Sequence, residues 1–220
     1  MTRLRAASDA NRASARGRFE DDIEALRLRI TAAAQGGGGL ILSLLGPNPG
    51  VGTTTLAVAL ARSLTRESRR TLLVDGNVEN PTIHDLFETS AQPGAVDLLK
   101  GRATPSEVLR PTADPNLSVL PYGTREGSIF STAAEHWRSQ LRQLAPDRFI
   151  LIDAGSADSP SSLTMADASD AVVLVVKSGE SRLEQIESIK KRMAASGTKL
   201  LGVVLNQRRY VVPAAMYRRL

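Results

Sequence analysis

The sequence predicts an α/β protein with a mostly parallel, doubly wound sheet and helices on both faces. Three observations lead there. Short, continuous apolar runs recur along the chain, as expected of strands buried on both faces. Segments of helical period separate them. A glycine-rich turn joins the first apolar run to the first of those helices.

Taken in order, residues 1–18 are rich in Ala, Ser and Arg with almost nothing to bury, and read as a disordered basic leader. From Phe19 the pattern changes, and residues 19–220 are expected to form one domain, for which 220 residues suffice. Phe19, Ile23, Leu26 and Ile30 recur at helical spacing, with the run Gly36 to Gly39 as the stop. The expected strands are LILSLL (40–45), TLLVD (71–75), LSVLPY (117–122), FILID (149–153), AVVLVV (171–176) and LLGVVLN (200–206). Helical periodicity marks TTLAVALARSLTRE after the first strand, then 132–145, then SRLEQIESIKKRMAAS. No repeat or low-complexity block interrupts the alternation.

Composition excludes several chemistries. Zero cysteines rule out disulfides and thiolate metal sites, and the isolated His84 and His136 form no ligand-spaced pair. No apolar run approaches the roughly 20 residues of a membrane span, and the first residues have no apolar signal core, so a cytoplasmic protein is expected. The net charge of +5 gathers at the two ends. Five arginines stand against Asp9 in residues 1–18, and Arg208, Arg209, Arg218 and Arg219 face no acid at the other end. Between them lies a mildly acidic body. Basic ends of this kind serve either as solubilising extensions or as contacts to an anionic membrane surface. Without aromatic residues interleaved among the early arginines, nucleic acid is not an expected partner.

The turn after the first strand carries the first chemistry. In Pro49-Gly50-Val51-Gly52-Thr53-Thr54-Thr55 the glycines leave the backbone bare on both sides of Val51. Successive N–H groups can converge there on a phosphate, which the positive end of the following helix also attracts. The strand before and the helix after supply the context such a loop needs. Thr54 is placed to offer a hydroxyl to Mg²⁺. Thr53 stands where a lysine normally bridges the outer phosphates, and a hydroxyl cannot neutralise developing charge there. Two acids, Asp75 and Asp153, close the second and fourth strands at the edge where open α/β sheets bind ligands. Each is a candidate metal- or water-positioning group, or else an aspartate that caps the next turn.

The order of motifs resembles the cytoplasmic domain of bacterial tyrosine kinases, the capsular and exopolysaccharide autokinases of the P-loop superfamily that includes the partition ATPases. The family's loop reads PGEGKST against PGVGTTT at 49–55, and its second motif reads roughly LLIDADLRRPSLHRLF against LLVDGNVENPTIHDLF at 72–87. The similarity continues, collinear, through 94–109, 116–123, 149–156, 170–182 and 200–220. The resemblance implies a P-loop NTPase fold that binds ATP or ADP with Mg²⁺. Gly50, Gly52 and Thr54 would contact phosphate and metal, Asp75 and Asp153 would flank the metal, and Asn206 would lie near the base. It further implies a membrane polysaccharide co-polymerase, a chain-length determinant, as partner, a place at the inner face of the plasma membrane, and a homo-oligomer.

The departures fall on charge. Thr53 replaces the family lysine, and Asn48 withholds the signature lysine of the partition ATPases. Asn77 replaces the second acid of the family's Asp-x-Asp, and an amide cannot accept the proton of an attacking hydroxyl. Glu79 and Asn80 stand where the family places arginine. In EALRLRI (24–30) the last arginine of an oligomerisation motif is shifted to Arg29, with Ile30 in its place. Of a terminal tyrosine cluster only Tyr210 and Tyr217 are left. The expectation is a pseudokinase, a degenerate member that supports polysaccharide or adhesin export by binding. The alternative is a slow ATPase or autokinase that borrows a cation, from a neighbouring subunit or from Lys177, with Asp75 and Asp153 as its catalytic acids.

Overall fold

Backbone geometry follows from the apolar runs. The computed structural model describes residues 2–34, 39–125 and 134–207, with side chains from Gly17 onward. Strands β1 (Ile41–Gly46), β2 (Thr71–Asp75) and β5 (Phe149–Ser156) are buried at every position. The short β3 (Arg110–Pro111), β4 (Leu117–Leu120), β6 (Ala171–Lys177) and β7 (Lys199–Asn206) complete one seven-stranded sheet in the order β3-β4-β2-β5-β1-β6-β7. Every pairing is parallel except β3 with β4. All six expected strands are present, and β3 is an addition that two residues of sequence could not signal.

The helices divide between the faces. On one face α1 (Thr2–Ala33), α2 (Thr53–Thr65) and the short α3 (Ile83–Leu86) pack through Ile23, Ile30, Leu56, Leu60, Leu64 and Ile83. On the other lie α4 (Ala95–Leu99), α5 (Pro105–Val108), α6 (Ala134–Leu144), α7 (Pro160–Asp167) and α8 (Leu183–Ser196), which contribute Val96, Val108, Trp137, Met165 and Ile189 among others. Phe19, Ile23, Leu26 and Ile30 do form the inward stripe of α1. The leader read from composition differs from the structure, in which α1 continues back to Thr2. Alanine and arginine are good helix formers, and extending a helix already docked on the sheet avoids the cost of nucleation.

This topology sets up the site. From β1 the chain leaves toward β2 on one side while β6 pairs on the other, and β5 fills the gap between β1 and β2. The C-terminal ends of β1, β2 and β5 therefore open at one crevice, where the strand order reverses. The two sheet edges differ. One ends in the two-residue β3 with Pro111, while the other is the eight-residue β7, with Val203 and Leu205 about half exposed.

Candidate functional site

The loop after β1 is built by glycine. Gly50 and Gly52 have φ of 77° and 95°, left-handed values that side chains disfavour, and Gly52 is the residue from which α2 starts. A Cβ on Gly50 would meet nothing within 4 Å, so the loop is bare on that side. The loop lines a pocket of about 700 Å³ together with Asn77, Glu79 and Asn80 from the β2 end and Gly155, Ser156, Asp158 and Ser159 from the β5 end. Gln207 closes it beside the loop.

Hydrogen bonds show what the loop hydroxyls do. Thr54 donates its hydroxyl to Asp153 Oδ2. Thr53 is buried at the start of α2 beside Thr54. Gly155 N–H donates to Asp153 Oδ1 at 3.2 Å. Asp153 is fully buried, and burial raises its pKa, opposed by the Thr54 hydroxyl, the Gly155 N–H and Thr53.

Asp75 lies directly opposite Asp153 in the β2–β5 register. Its oxygens accept from the backbone of Ile83 at 2.9 Å and Asn77 at 3.3 Å. Burial pushes its carboxyl up to about 7, the Ile83 N–H opposes that shift, and the neighbouring Asp153 adds to it. Asp75 thus holds the turn into α3, and both acids lie buried behind the pocket rather than among its lining residues. Asn77 stands close to Gly155, where an added Cβ would lie 2.7 Å from its Oδ1, and its own Oδ1 accepts from Asn80 N–H at 3.3 Å.

Among the described residues no Lys, Arg or His lines this pocket, and Glu79 and Asp158 do. Lys177 is not among the lining residues, and its ammonium pairs with Glu180 at 2.7 Å. Arg125 reaches the 77–80 turn from the outside, donating to Glu79 O at 2.8 Å and Val78 O at 3.3 Å. It steadies the turn that the family's arginine would have occupied. Asn206 lies against the loop, donating from Nδ2 to Val51 O at 2.8 Å. Tyr210 and Tyr217 lie outside the described residues. In α1, Arg27 is buried and pairs with Glu24 and with Glu67, so this part of the expected oligomerisation motif faces inward.

The fit to a ligand divides in two. The glycine loop and the start of α2 suit a phosphate, and two carboxylates beside a threonine hydroxyl are the hard oxygen donors that Mg²⁺ prefers. Among the described residues no ammonium accompanies them in the lining. Four polar lining side chains, Ser156, Asp158, Ser159 and Gln207, are not among the residues expected from the sequence. Ser156, Asp158 and Ser159 follow Asp153 directly, and Ser159-Pro160 is a helix-start signature that could have revealed α7. For Gln207 no local signal exists.

With the loop, the paired acids and the sheet order in place, the chain is a P-loop-type α/β protein. It belongs to the family described as cellulose biosynthesis protein BcsQ, whose profile matches residues 40–193. Among curated proteins it is similar to the tyrosine-protein kinase YwqD of Bacillus subtilis, 27% identical over 164 residues that cover 72% of this chain and 68% of YwqD. It is 23% identical to the tyrosine-protein kinase ptk of Acinetobacter johnsonii over 84% of this chain, but spans only 26% of that longer relative. The kinase domain of Escherichia coli tyrosine kinase ETK shares the fold, with a TM-score of 0.77 at 19% identity over 89% of this chain and 79% of that one. So does the septum site-determining protein MinD of Pyrococcus horikoshii, solved with Mg-ADP, with a TM-score of 0.66 at 22% identity over 82% and 78%.

Proposed function

We propose that this chain is a degenerate tyrosine-kinase-like P-loop protein, a pseudokinase whose working unit is residues 19–220. It supports exopolysaccharide biosynthesis and export by binding the cytoplasmic part of a membrane polysaccharide co-polymerase at the inner face of the membrane. The observation that carries the reading is the phosphate pocket without a cation among the described residues. Backbone N–H groups and Mg²⁺ can hold a nucleotide there, but nothing in the lining neutralises charge as it develops on a transferring phosphoryl group. Asn77 supplies no base for a tyrosine hydroxyl. The family description and the kinase relatives support a role in polysaccharide synthesis. No helix among the described residues is long and apolar enough to cross a membrane, which agrees with a partner that supplies the anchor.

Retention of Asp75, Asp153 and Thr54 favours one second reading, a slow ATPase that borrows a cation in trans. Calorimetry with ADP and ATP, with and without Mg²⁺, tests binding, and mass spectrometry after incubation with ATP and Mg²⁺ tests transfer. The proposal expects Mg²⁺-dependent binding and no phosphate on Tyr210 or Tyr217 beyond a Gly52→Arg control. Phosphotyrosine above that control overturns it, and ATP turnover without phosphotyrosine selects the second reading.

A further inference from the structure

A loop that binds phosphate through N–H groups must hold its peptide planes in one orientation before the ligand arrives. In a trans peptide the C=O of one residue points opposite to the N–H of the next, so a donor that captures the carbonyl also fixes the direction of that N–H. Two side chains at the end of β7 do this. Asn206 Nδ2 donates to Val51 O at 2.8 Å, which fixes the Gly52 N–H. Gln207 Nε2 donates to Gly50 O at 3.2 Å, which fixes the Val51 N–H. These two peptide units form the glycine-flanked centre of the loop.

The clasp is itself held. Gln207 N–H donates to Asn206 Oδ1 at 2.9 Å, so the amide is oriented with its Nδ2 toward the loop. Asn206 O accepts from Ser178 N–H at 3.1 Å, which fastens this strand end to the turn after β6. Gln207 adopts a φ of 54°, an uncommon left-handed conformation for a residue other than glycine, and it occurs where the chain turns its amide to Gly50. Gly52 completes the arrangement, because a Cβ there would collide with Asn206 Nδ2. The second glycine therefore serves two ends, its own φ of 95° and the approach of Asn206.

We propose that Asn206 and Gln207 are positioning residues that brace the phosphate loop through its carbonyls and act on every phosphate ligand alike. A residue that reads the base would instead matter only to ligands that carry one. The proposal deepens the nucleotide-binding reading and rests on it only for the ligand arm of the test.

The experiment compares the full chain with Asn206→Asp and Gln207→Glu, each of which replaces the donating amide by a carboxylate oxygen facing a carbonyl. Gln207 is exposed, so its variant keeps the test open should Asn206→Asp fail to fold. Without ligand, ¹⁵N relaxation is expected to give order parameters near the rigid value of about 0.85 at Val51 and Gly52 in the parent, and below about 0.6 in the variants. With Mg²⁺, calorimetry is expected to show ATP and inorganic tripolyphosphate both weakened by the same factor, about tenfold for one lost charge-free contact turned repulsive. Unchanged order parameters in the folded variants overturn the proposal. So does a loss confined to ATP with tripolyphosphate retained. Should the parent bind neither ligand, the nucleotide-binding reading fails, and the order parameters alone decide whether the clasp exists.

Discussion

Asp75 ends β2 and Asp153 lies opposite it in register, with β5 running on to Ser156; both are buried, yet they hold different things. Asp153 accepts the hydroxyl of Thr54 and so is tied to the phosphate loop. Asp75 accepts from the backbone of Asn77 and Ile83 and is tied to the turn that begins α3. One carboxylate is fastened to the glycine loop and the other to the turn after β2. The difference shows that an acid near the C-terminal end of a strand is not defined by its position alone. What reaches it from across the crevice decides its part, and hydroxyls can rotate to a ligand where backbone N–H groups cannot.

The largest expected effect tests that division directly. Asp75→Ala leaves the buried Ile83 N–H and the part-buried Asn77 N–H without acceptors, the buried one at roughly 1–3 kcal/mol, so a loss of about 3 kcal/mol is expected in urea unfolding. Asp153→Ala orphans one N–H, that of Gly155 in a long 3.2 Å bond, and frees a hydroxyl that finds other partners, so a smaller loss of about 1 kcal/mol is expected. The ligand response should run the other way. Any stabilisation by ADP with Mg²⁺ should vanish in Asp153→Ala, read as a thermal shift. Equal unfolding losses in the two variants would break the comparison.

A smaller effect probes the cation that the Asp153 side lacks. Thr53→Lys places an ammonium in the pocket that Thr53 lines, next to Thr54, the residue whose hydroxyl Asp153 accepts. Mg²⁺-nucleotide affinity should rise roughly tenfold, the worth of one charge-assisted contact. Phosphotyrosine should remain absent, because Asn77 still offers no base. Robust autophosphorylation by this single variant would show that Asn77 is not limiting.

The same division explains what was legible in the sequence. Both-face burial makes continuous apolar runs, so the inner strands were readable, and TLLVD matches β2 from Thr71 to Asp75, whereas LLGVVLN reads the same way and forms the edge strand β7, which has no buried position. Backbone-built function was readable too, since Gly50 and Gly52 can be seen by spacing alone. What stayed hidden depends on tertiary approach. Gln207 carries no local sign that its amide meets Gly50, and Arg125 lies far along the chain from the turn it holds. The capping role of Asp75 was open beside the metal role, because Ile83 comes back to it only after the turn folds. The short α3, α4 and α5 lie below the length at which helical period can be recognised.

The smallest expected effect sharpens the comparison with a third carboxylate. Asp97, in the first turn of α4, resembles Asp75 in accepting backbone N–H groups, from Gly94 at 2.9 Å and Thr124 at 3.0 Å. Its pKa moves the opposite way. Burial raises it, but the bonds from Thr124 and Gly94 and the Arg102 guanidinium at 3.0 Å outweigh that and hold it below the ordinary carboxylate value of 3.8. Among the described residues no cation pairs with Asp75, and Asp153 lies beside it, so the same kind of bonding does not bring its pKa down. Because the folded state of Asp97 holds its proton less tightly than the unfolded chain does, its stabilisation is complete above the unfolded value and is lost as pH falls through the folded one. Asp97→Asn should therefore cost about 1 kcal/mol in urea unfolding at pH 7, and the gap between variant and parent should narrow as pH falls below 3.8. A gap that stays constant across that range would mean the carboxylate charge contributes nothing, and that Asp97, unlike Asp75, acts by shape alone.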